Sequence, residues 1–387
     1  MSVKNLGEIV EIVTGKLDVN ASDENGLYQF FTCAEKPCLI NTYAFDNEAI
    51  LVAGNGDLNV KYYTGKFNAY QRTYVIQNKN EKVLSMKYLF YFMQTYMDHL
   101  RRNAIGGIIK YIKIGHLTKA KIPLPPLDDQ KRIAHLLGKV EGLIAQRKQG
   151  LEQLDELLKS VFLQMFGDPV RNEKGWEKKV FSELLQEIES GKSPNCETRP
   201  AENKEWGVLK LGAVTSCIYK DHENKALPMG VSPSQQNEVK AGDLLFSRKN
   251  TYELVAACAY VFSTQPRLLM SDLIFRFKFK EASIINPIYC WKLLSSQSQR
   301  KQIQSLAAGA AGSMPNISKT NLREVLLPVP PLPLQNKFAA IVEKVEGIKV
   351  RYQQNLGDLE ALYGVLSQRA FAGELDLARI PVGEGFE

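Results

Sequence analysis

Gly191-Lys192-Ser193 is where this chain comes nearest to a phosphate-cradling loop, and the chemistry fails one turn earlier. Gln186 stands where GxxxxGK[ST] requires its first glycine, so the backbone could not wrap a nucleotide phosphate. Methyl transfer to an amino group would call for FxGxG followed by a PPY-type tetrapeptide. Neither occurs, because PPL at 125–127 follows Leu124 and PPL at 330–332 follows Val329, not Asn or Asp. The six cysteines (Cys33, Cys38, Cys196, Cys217, Cys258, Cys290) and four histidines form no CxxC, paired-Cys or HExxH spacing, which argues against a zinc site or disulfide framework. No paired-carboxylate nuclease site is recognisable.

What remains is electrostatic. The net charge of +7 is unevenly distributed: residues 1–127 carry +4 and residues 169–332 carry +6, whereas 128–168 and 333–387 are slightly acidic. From His99 to Leu127 there are six Lys and Arg and no carboxylate, and from Ala282 to Arg323 there are five and again none. A solvated face normally mixes signs, so one-sign stretches at matching places point to a polyanion. The candidate contacts to it, the expected DNA-binding residues if that polyanion is a nucleic acid, are Arg72, Arg101, Arg102, Lys110, Lys113, Lys210, Arg248, Lys249, Lys319 and Arg323. Arg248, at the end of DLLFSR, is the candidate for reading a base, since its fork suits guanine.

These residues sit in a duplicated chain. IPLPPLDDQKRIA at 122–134 and LPVPPLPLQNKFA at 327–339 match at an offset of 205, and KVEG recurs at 139–142 and 344–347. Residues 122–168 and 327–373 share fifteen identities. A period this long means a domain plus its connector, since solenoid repeats run to about 20–50 residues.

Each connector carries an apolar stripe at alternating steps of four and three. The first runs Ile133, Leu137, Val140, Ile144, Arg147, Leu151, Leu154, Leu158, Val161, Met165, broken only by Arg147. The second runs Phe338, Val342, Val345, Lys349, Tyr352, Leu356, Leu359, Tyr363, Leu366, Ala370, broken by Lys349. Such spacing predicts coiled-coil helices of about 57 Å that bury one another. Asp128 and Asp129 are suited to cap the first; Gly167 stops it, and the second fades at Gly373.

The expected fold is α+β: two mixed α/β heads joined by two long antiparallel coiled-coil helices, a pseudo-twofold duplication with the heads toward opposite ends. The divisions are 1–127 (head 1), 128–168 (helix), 169–332 (head 2), 333–375 (helix) and 376–387 (tail). Helices are expected near MKYLFYFMQTYMDHLRR and NPIYCWKLLSSQSQRKQIQSL. The heads resemble each other weakly, through TGK at 14–16 and SGK at 190–192, AILVAGNG at 49–56 and DLLFSRKN at 243–250, and Gly-rich loops at 106–107 and 309–312. Heads that diverge on like stalks read different things.

A head ending in PLPPLxxQ, a long helix, a second diverged head, PVPPLxxQ and a second long helix resembles the specificity subunit of type I restriction-modification systems, over nearly the whole chain. The resemblance implies two target recognition domains, each reading half of a bipartite double-stranded DNA site, on helices that act as conserved spacers. It implies no catalysis and no cofactor here. Two modification subunits would methylate adenine with S-adenosylmethionine, and restriction subunits would supply ATP- and Mg-dependent cleavage. The tail is the one candidate for closing the structure. A free-standing DNA-binding regulator or a structural scaffold are the alternatives, though a scaffold has no need of basic heads and a regulator usually duplicates by dimerising. Because KVEG is retained twice with only its Val on the stripe, Lys139, Glu141, Lys344 and Glu346 are the candidate partner-binding residues, facing outward. The other reading is that Gly142 and Gly347 let the helices pack closely. With no signal-type or membrane-length apolar run, a cytoplasmic location is expected.

Overall fold

The computed structural model describes residues 2–281, 284–308, 314–378, 380 and 381. The Gly-rich segment 309–312 and most of the tail lie outside the described residues. Two continuous helices, Leu127–Phe166 and Leu332–Ala372, occupy the repeated stripes. Each starts directly after its proline pair: the Pro126 carbonyl accepts from the N–H of Asp129 and Gln130 (3.0 and 3.1 Å), and that of Pro331 from Leu334 and Gln335 (2.9 and 3.3 Å). Asp128 and Asp129 therefore lie inside the first turn rather than capping it, where a carboxylate still complements the positive end of the helix dipole. Gly167 and Gly373, with φ of +75° and +77°, end the two helices as left-handed stops.

The chain divides into two compact units, residues 1–150 with 352–387, and residues 151–351. Each holds one head and a length of both long helices. In the first unit Ala370 shares a core with Ile133, Ala134 and Leu137, and Lys148 pairs with Glu360 at 2.9 Å, so the helices run antiparallel. Arg147, the break in the first stripe, lies over the ring of Tyr352 at 4.2 Å. In the second unit Phe162 and Phe166 meet Phe338 edge-on, again antiparallel. Lys349, the break in the second stripe, is buried and paired with Asp155 (2.8 Å) and Glu346 (3.1 Å). Both polar interruptions thus have partners, as burial of charge requires.

Head 1 is a six-stranded sheet in the order Val10–Thr14, Thr73–Asn78, Phe45–Ala53, Val60–Ala69, Tyr28–Phe31, Cys38–Ile40. All neighbours are antiparallel except Tyr28–Phe31 with Val60–Ala69. The helix Met86–Asn103 covers one face with Tyr88, Leu89, Phe92, Met93, Met97 and Leu100. Head 2 has an antiparallel four-stranded sheet, Leu185–Ser190, Ile274–Phe279, Leu244–Ser247, Cys258–Tyr260, and a three-stranded one, Asn224–Ala226, Gly207–Leu209, Leu268–Leu269. Its covering helix is not the single long one that NPIYCWKLLSSQSQRKQIQSL predicts. Ser296 is extended (φ −61°, ψ 143°) and splits it into Pro287–Ser295 and Gln297–Gln304. The Ser296 hydroxyl donates to the Leu293 carbonyl at 2.7 Å, the local bonding by which serine competes with a helix.

The two heads share a frame beneath these differences. A Cβ on Gly15 would lie 1.8 Å from the Ala69 carbonyl oxygen, and one on Gly191 would lie 2.0 Å from that of Met270. The TGK and SGK glycines therefore sit where two backbones touch. The strand Lys121–Leu124 pairs antiparallel with Ser2–Asn5, as Leu326–Pro328 does with Lys178–Val180.

The closest likeness is at the joint between head and long helix. Gln130 is fully buried; its Oε1 accepts from Ser85 N–H (2.9 Å) while Nε2 donates to the Val83 and Pro125 carbonyls (2.9 Å each). Gln335, equally buried, accepts from Asn286 N–H (2.8 Å) and donates to Ile284 (2.9 Å) and Pro330 (2.7 Å). Ser85 and Asn286 are the N-caps of the covering helices. Tyr88 and Tyr289 close the same joint, donating to the carbonyls of Pro123 (2.7 Å) and Pro328 (3.0 Å).

Gln130→Leu would orphan one N–H and two carbonyls, each costing about 1–3 kcal/mol when buried. Hydrogen exchange should show faster opening of residues 85–103 in this variant while residues 286–304 keep wild-type protection. Unchanged protection of 85–103 would mean that the amide does not hold the joint.

Candidate nucleic-acid interface and docking surface

In each head one central strand runs out into a loop that the end of the head folds back upon. In head 1 the strand Phe45–Ala53 continues into Gly54-Asn55-Gly56, and Asn55 bridges to Tyr111. In head 2 Leu244–Ser247 continues into Arg248-Lys249-Asn250, and Lys249 bridges to Asn316. Gly54 N–H donates to the Arg72 carbonyl (2.8 Å) and Arg248 N–H to that of Leu273 (3.1 Å). Arg248 therefore occupies the place that head 1 fills with a glycine. Its guanidinium lies over Phe275 at 5.3 Å, Lys319 lies over the same ring at 5.6 Å, and Arg248 Nε is buried without a partner. Stacking on the ring fixes the plane of the guanidinium, an orientation that suits a planar acceptor.

The other candidates divide into two groups. The fold brings Arg248, Lys249 and Lys319 together in head 2, and in head 1 Lys110 joins the strand end through Gly56 N–H, which donates to its carbonyl at 2.9 Å. Arg72, Lys110, Lys113 and Arg323 are exposed and form no ion pair among the described residues. Other charges are engaged locally. Arg101 pairs with Asp98 (3.0 Å) and donates to the Leu58 carbonyl (2.9 Å), Arg102 Nε donates to the Asp98 carbonyl (3.2 Å), and Lys210 pairs with Glu223 (2.9 Å) beside the three-stranded sheet.

KVEG presents three faces. Val140 and Val345 are buried in the seam. Glu141 and Glu346 do not face outward as their places beside the stripe predict, because each head lays its covering helix against that flank. Glu141 accepts from Tyr91 Oη (3.0 Å) and Gln94 Nε2 (3.4 Å); Glu346 pairs with Lys349 and lies 4.0 Å from Lys292. Tyr91 and Lys292 stand three residues beyond Tyr88 and Tyr289, so two different side chains meet the same glutamate. The third face is open. Lys139, Gly142 and Leu143 are exposed, as are Lys344, Gly347 and Ile348. A Cβ on Gly142 or Gly347 would meet nothing within 4 Å, so close packing of the two helices does not explain these glycines.

Sequence reasoning did not single out Leu143 and Ile348, which lie off the stripe, although their apolar match in both copies was a signal. It also passed over Gln130 and Gln335, visible only as an identity.

Burial pushes the Tyr91 hydroxyl up, and Glu141 adds to the shift. Burial lowers Lys292 to about 8 against the opposing pull of Glu346. For Lys349 burial acts downward too, but Asp155 and Glu346 overcome it and hold the ammonium above its ordinary value. Among the described residues no group of His, Cys, Asp and Glu is placed to hold a metal, and no helix is long and apolar enough to cross a membrane.

The chain is similar to known proteins along most of its length. A family model described as "Type I restriction modification DNA specificity domain" matches residues 1–155 and 173–356. The type I restriction enzyme EcoDI specificity subunit of Escherichia coli is 28% identical over 403 residues, covering 96% of this chain and 87% of the relative. The MjaVIII specificity subunit of Methanocaldococcus jannaschii is 23% identical, covering 89% and 86%. Among solved structures, the S subunit of a type I restriction-modification system from M. genitalium superposes with a TM-score of 0.64 at 16% identity, covering 96% of each chain.

Because Lys292 has a folded-state pKa near 8 and an unfolded value of about 10.4, its buried charge costs stability below about pH 8. That cost fades as pH rises toward 10. The melting temperature of the wild type should therefore rise relative to Lys292→Met between pH 8 and 10. Parallel pH profiles for the two proteins would show that Lys292 does not titrate in this window.

Proposed function

The chain belongs to the type I restriction-modification DNA specificity family, and we propose that it chooses the DNA site for a complex whose catalytic steps lie in other subunits. In this reading each head reads one half of a bipartite, asymmetric duplex site, and the long helices set the spacer between the halves. Two modification subunits dock on the helices, and restriction subunits join the assembly for cleavage. The complex would work in the cytoplasm, where its DNA is.

The observation that carries this reading is the substitution of Arg248 for Gly54 within a common frame. The same strand end, folded back on by the same segment, presents a stacked guanidinium in one head and bare backbone in the other. Heads built to hold one shape would not vary there; heads reading different bases must. A free-standing regulator is disfavoured by the open stalk face. Glycine inside a helix costs about 1 kcal/mol relative to alanine, yet Gly142 and Gly347 are both exposed with free space above them. An exposed Lys, Gly and aliphatic at matching positions fit one partner species binding twice.

Lys110→Ala with Lys113→Ala should weaken binding about equally for all sequences and flatten the dependence of affinity on salt. Arg248→Ala should cost on the order of 1–3 kcal/mol at one base position. An unchanged salt slope would remove the phosphate assignment, and a uniform loss with Arg248→Ala would make that residue a backbone contact. For docking, Lys139→Glu with Leu143→Glu should leave one modification subunit bound where the wild type binds two, read by native mass spectrometry of the co-expressed proteins. Retention of both by the variant that also carries Lys344→Glu and Ile348→Glu would refute the docking face.

A further inference from the structure

Residues 105–111 of head 1 form a small hairpin whose tip is apolar and bare. Ile108 is 104% exposed and Ile109 63%, and both strands of the hairpin add partly exposed apolar side chains, Ile105 and Tyr111. The hairpin is held in place by its own backbone. Ile105 and Tyr111 exchange both N–H···O bonds (2.9 and 2.8 Å), Gly56 N–H donates to the Lys110 carbonyl (2.9 Å), and Ile112 N–H donates to that of Gly54 (2.9 Å). A pinned loop that keeps two isoleucines in water forgoes the stabilisation that burying each would bring, so the chain itself gives no reason for them.

What surrounds the tip selects the occupant. Lys110 and Lys113 are exposed beside it, and no carboxylate occurs from His99 to Leu127; Asp57, in the neighbouring turn, is a nearby exception. An apolar point flanked by two exposed lysines fits a partner that is anionic outside and apolar between its layers, which describes the base stack of duplex DNA. We propose that Ile108 and Ile109 are a wedge that enters one base step of the half-site read by head 1, opening it while Lys110 and Lys113 hold the flanking phosphates. Apolar wedges of this kind unstack a step and bend the duplex, so the deformability of that step becomes part of what the head reads. The proposal rests on the reading of head 1 as a DNA-binding surface.

The test uses the full chain without methyltransferase partners, and duplexes carrying its methylation-mapped site with 2-aminopurine placed in turn through the half-site. Binding should raise fluorescence at one step. Ile108→Ala with Ile109→Ala should abolish that rise and weaken binding about tenfold, the scale of burying one large aliphatic side chain, with the salt slope kept. Ile108→Leu should restore the signal, and Lys110→Ala with Lys113→Ala should flatten the salt slope while leaving the rise at saturation. DNA binding by the wild type with no rise at any step, or a rise that survives loss of both isoleucines, would overturn the wedge and leave the DNA reading standing. In a parallel titration with the modification subunit added, loss of its binding by the isoleucine variant, with the fluorescence rise unaltered, would overturn it in favour of a protein contact. Absence of any DNA binding by head 1 would overturn both.

Discussion

The architecture depends on one buried amide per copy. Gln130 and Gln335 each tie three segments together: the start of a long helix, the proline strand that feeds it and the N-cap of the helix that covers the head. Each amide has its oxygen and its nitrogen bonded inside the protein, so removing it costs the desolvation of the partners left behind. A head fixed in this way cannot tilt on its helix without breaking several bonds at once. If helix length is to be read out as base pairs, that rigidity is the first requirement. The PLPP punctuation contributes by holding the chain extended into the helix, and the buried Tyr88 and Tyr289 hydroxyls hold the same proline segments two residues earlier, at the Pro123 and Pro328 carbonyls.

Around this fixed joint the two copies vary where variation is useful. The glutamate of KVEG meets a tyrosine in one unit and faces a lysine in the other, and the strand end carries a glycine in one and an arginine in the other. The tetrapeptide assigns each residue a direction: Val into the seam, Glu onto the head, Lys and Gly to the open face. Of the three directions, two are accounted for by contacts inside the protein.

The long helices and their glycine stops were legible in the sequence because a sustained 3.5-residue spacing has few other solutions. The shared TGK and SGK glycines were visible as a match, and their cause, two backbones in contact, was not. Periodicity shows which face of a helix is apolar. It does not show that a head packs on the flank beside the seam, which is why Glu141 and Glu346 read as outward and lie inward. Gln130 was present in the repeated motif, yet a glutamine carries no mark of burial until Ser85 and Val83, 45 and 47 residues away in sequence, are seen beside it. The break at Ser296 was missed because helix propensity continues through it and only the local hydroxyl bond interrupts.

With two rigidly seated heads reading two half-sites, the long helices would set the separation between them. Inserting four residues, about 6 Å of helix, into Leu127–Phe166 and mapping methylated sites in cells that carry the modification partner tests it most directly. The account predicts the same two half-sites with the spacer longer by about one to two base pairs, at roughly 3.4 Å each. Methylation by the variant at the original spacing would contradict it.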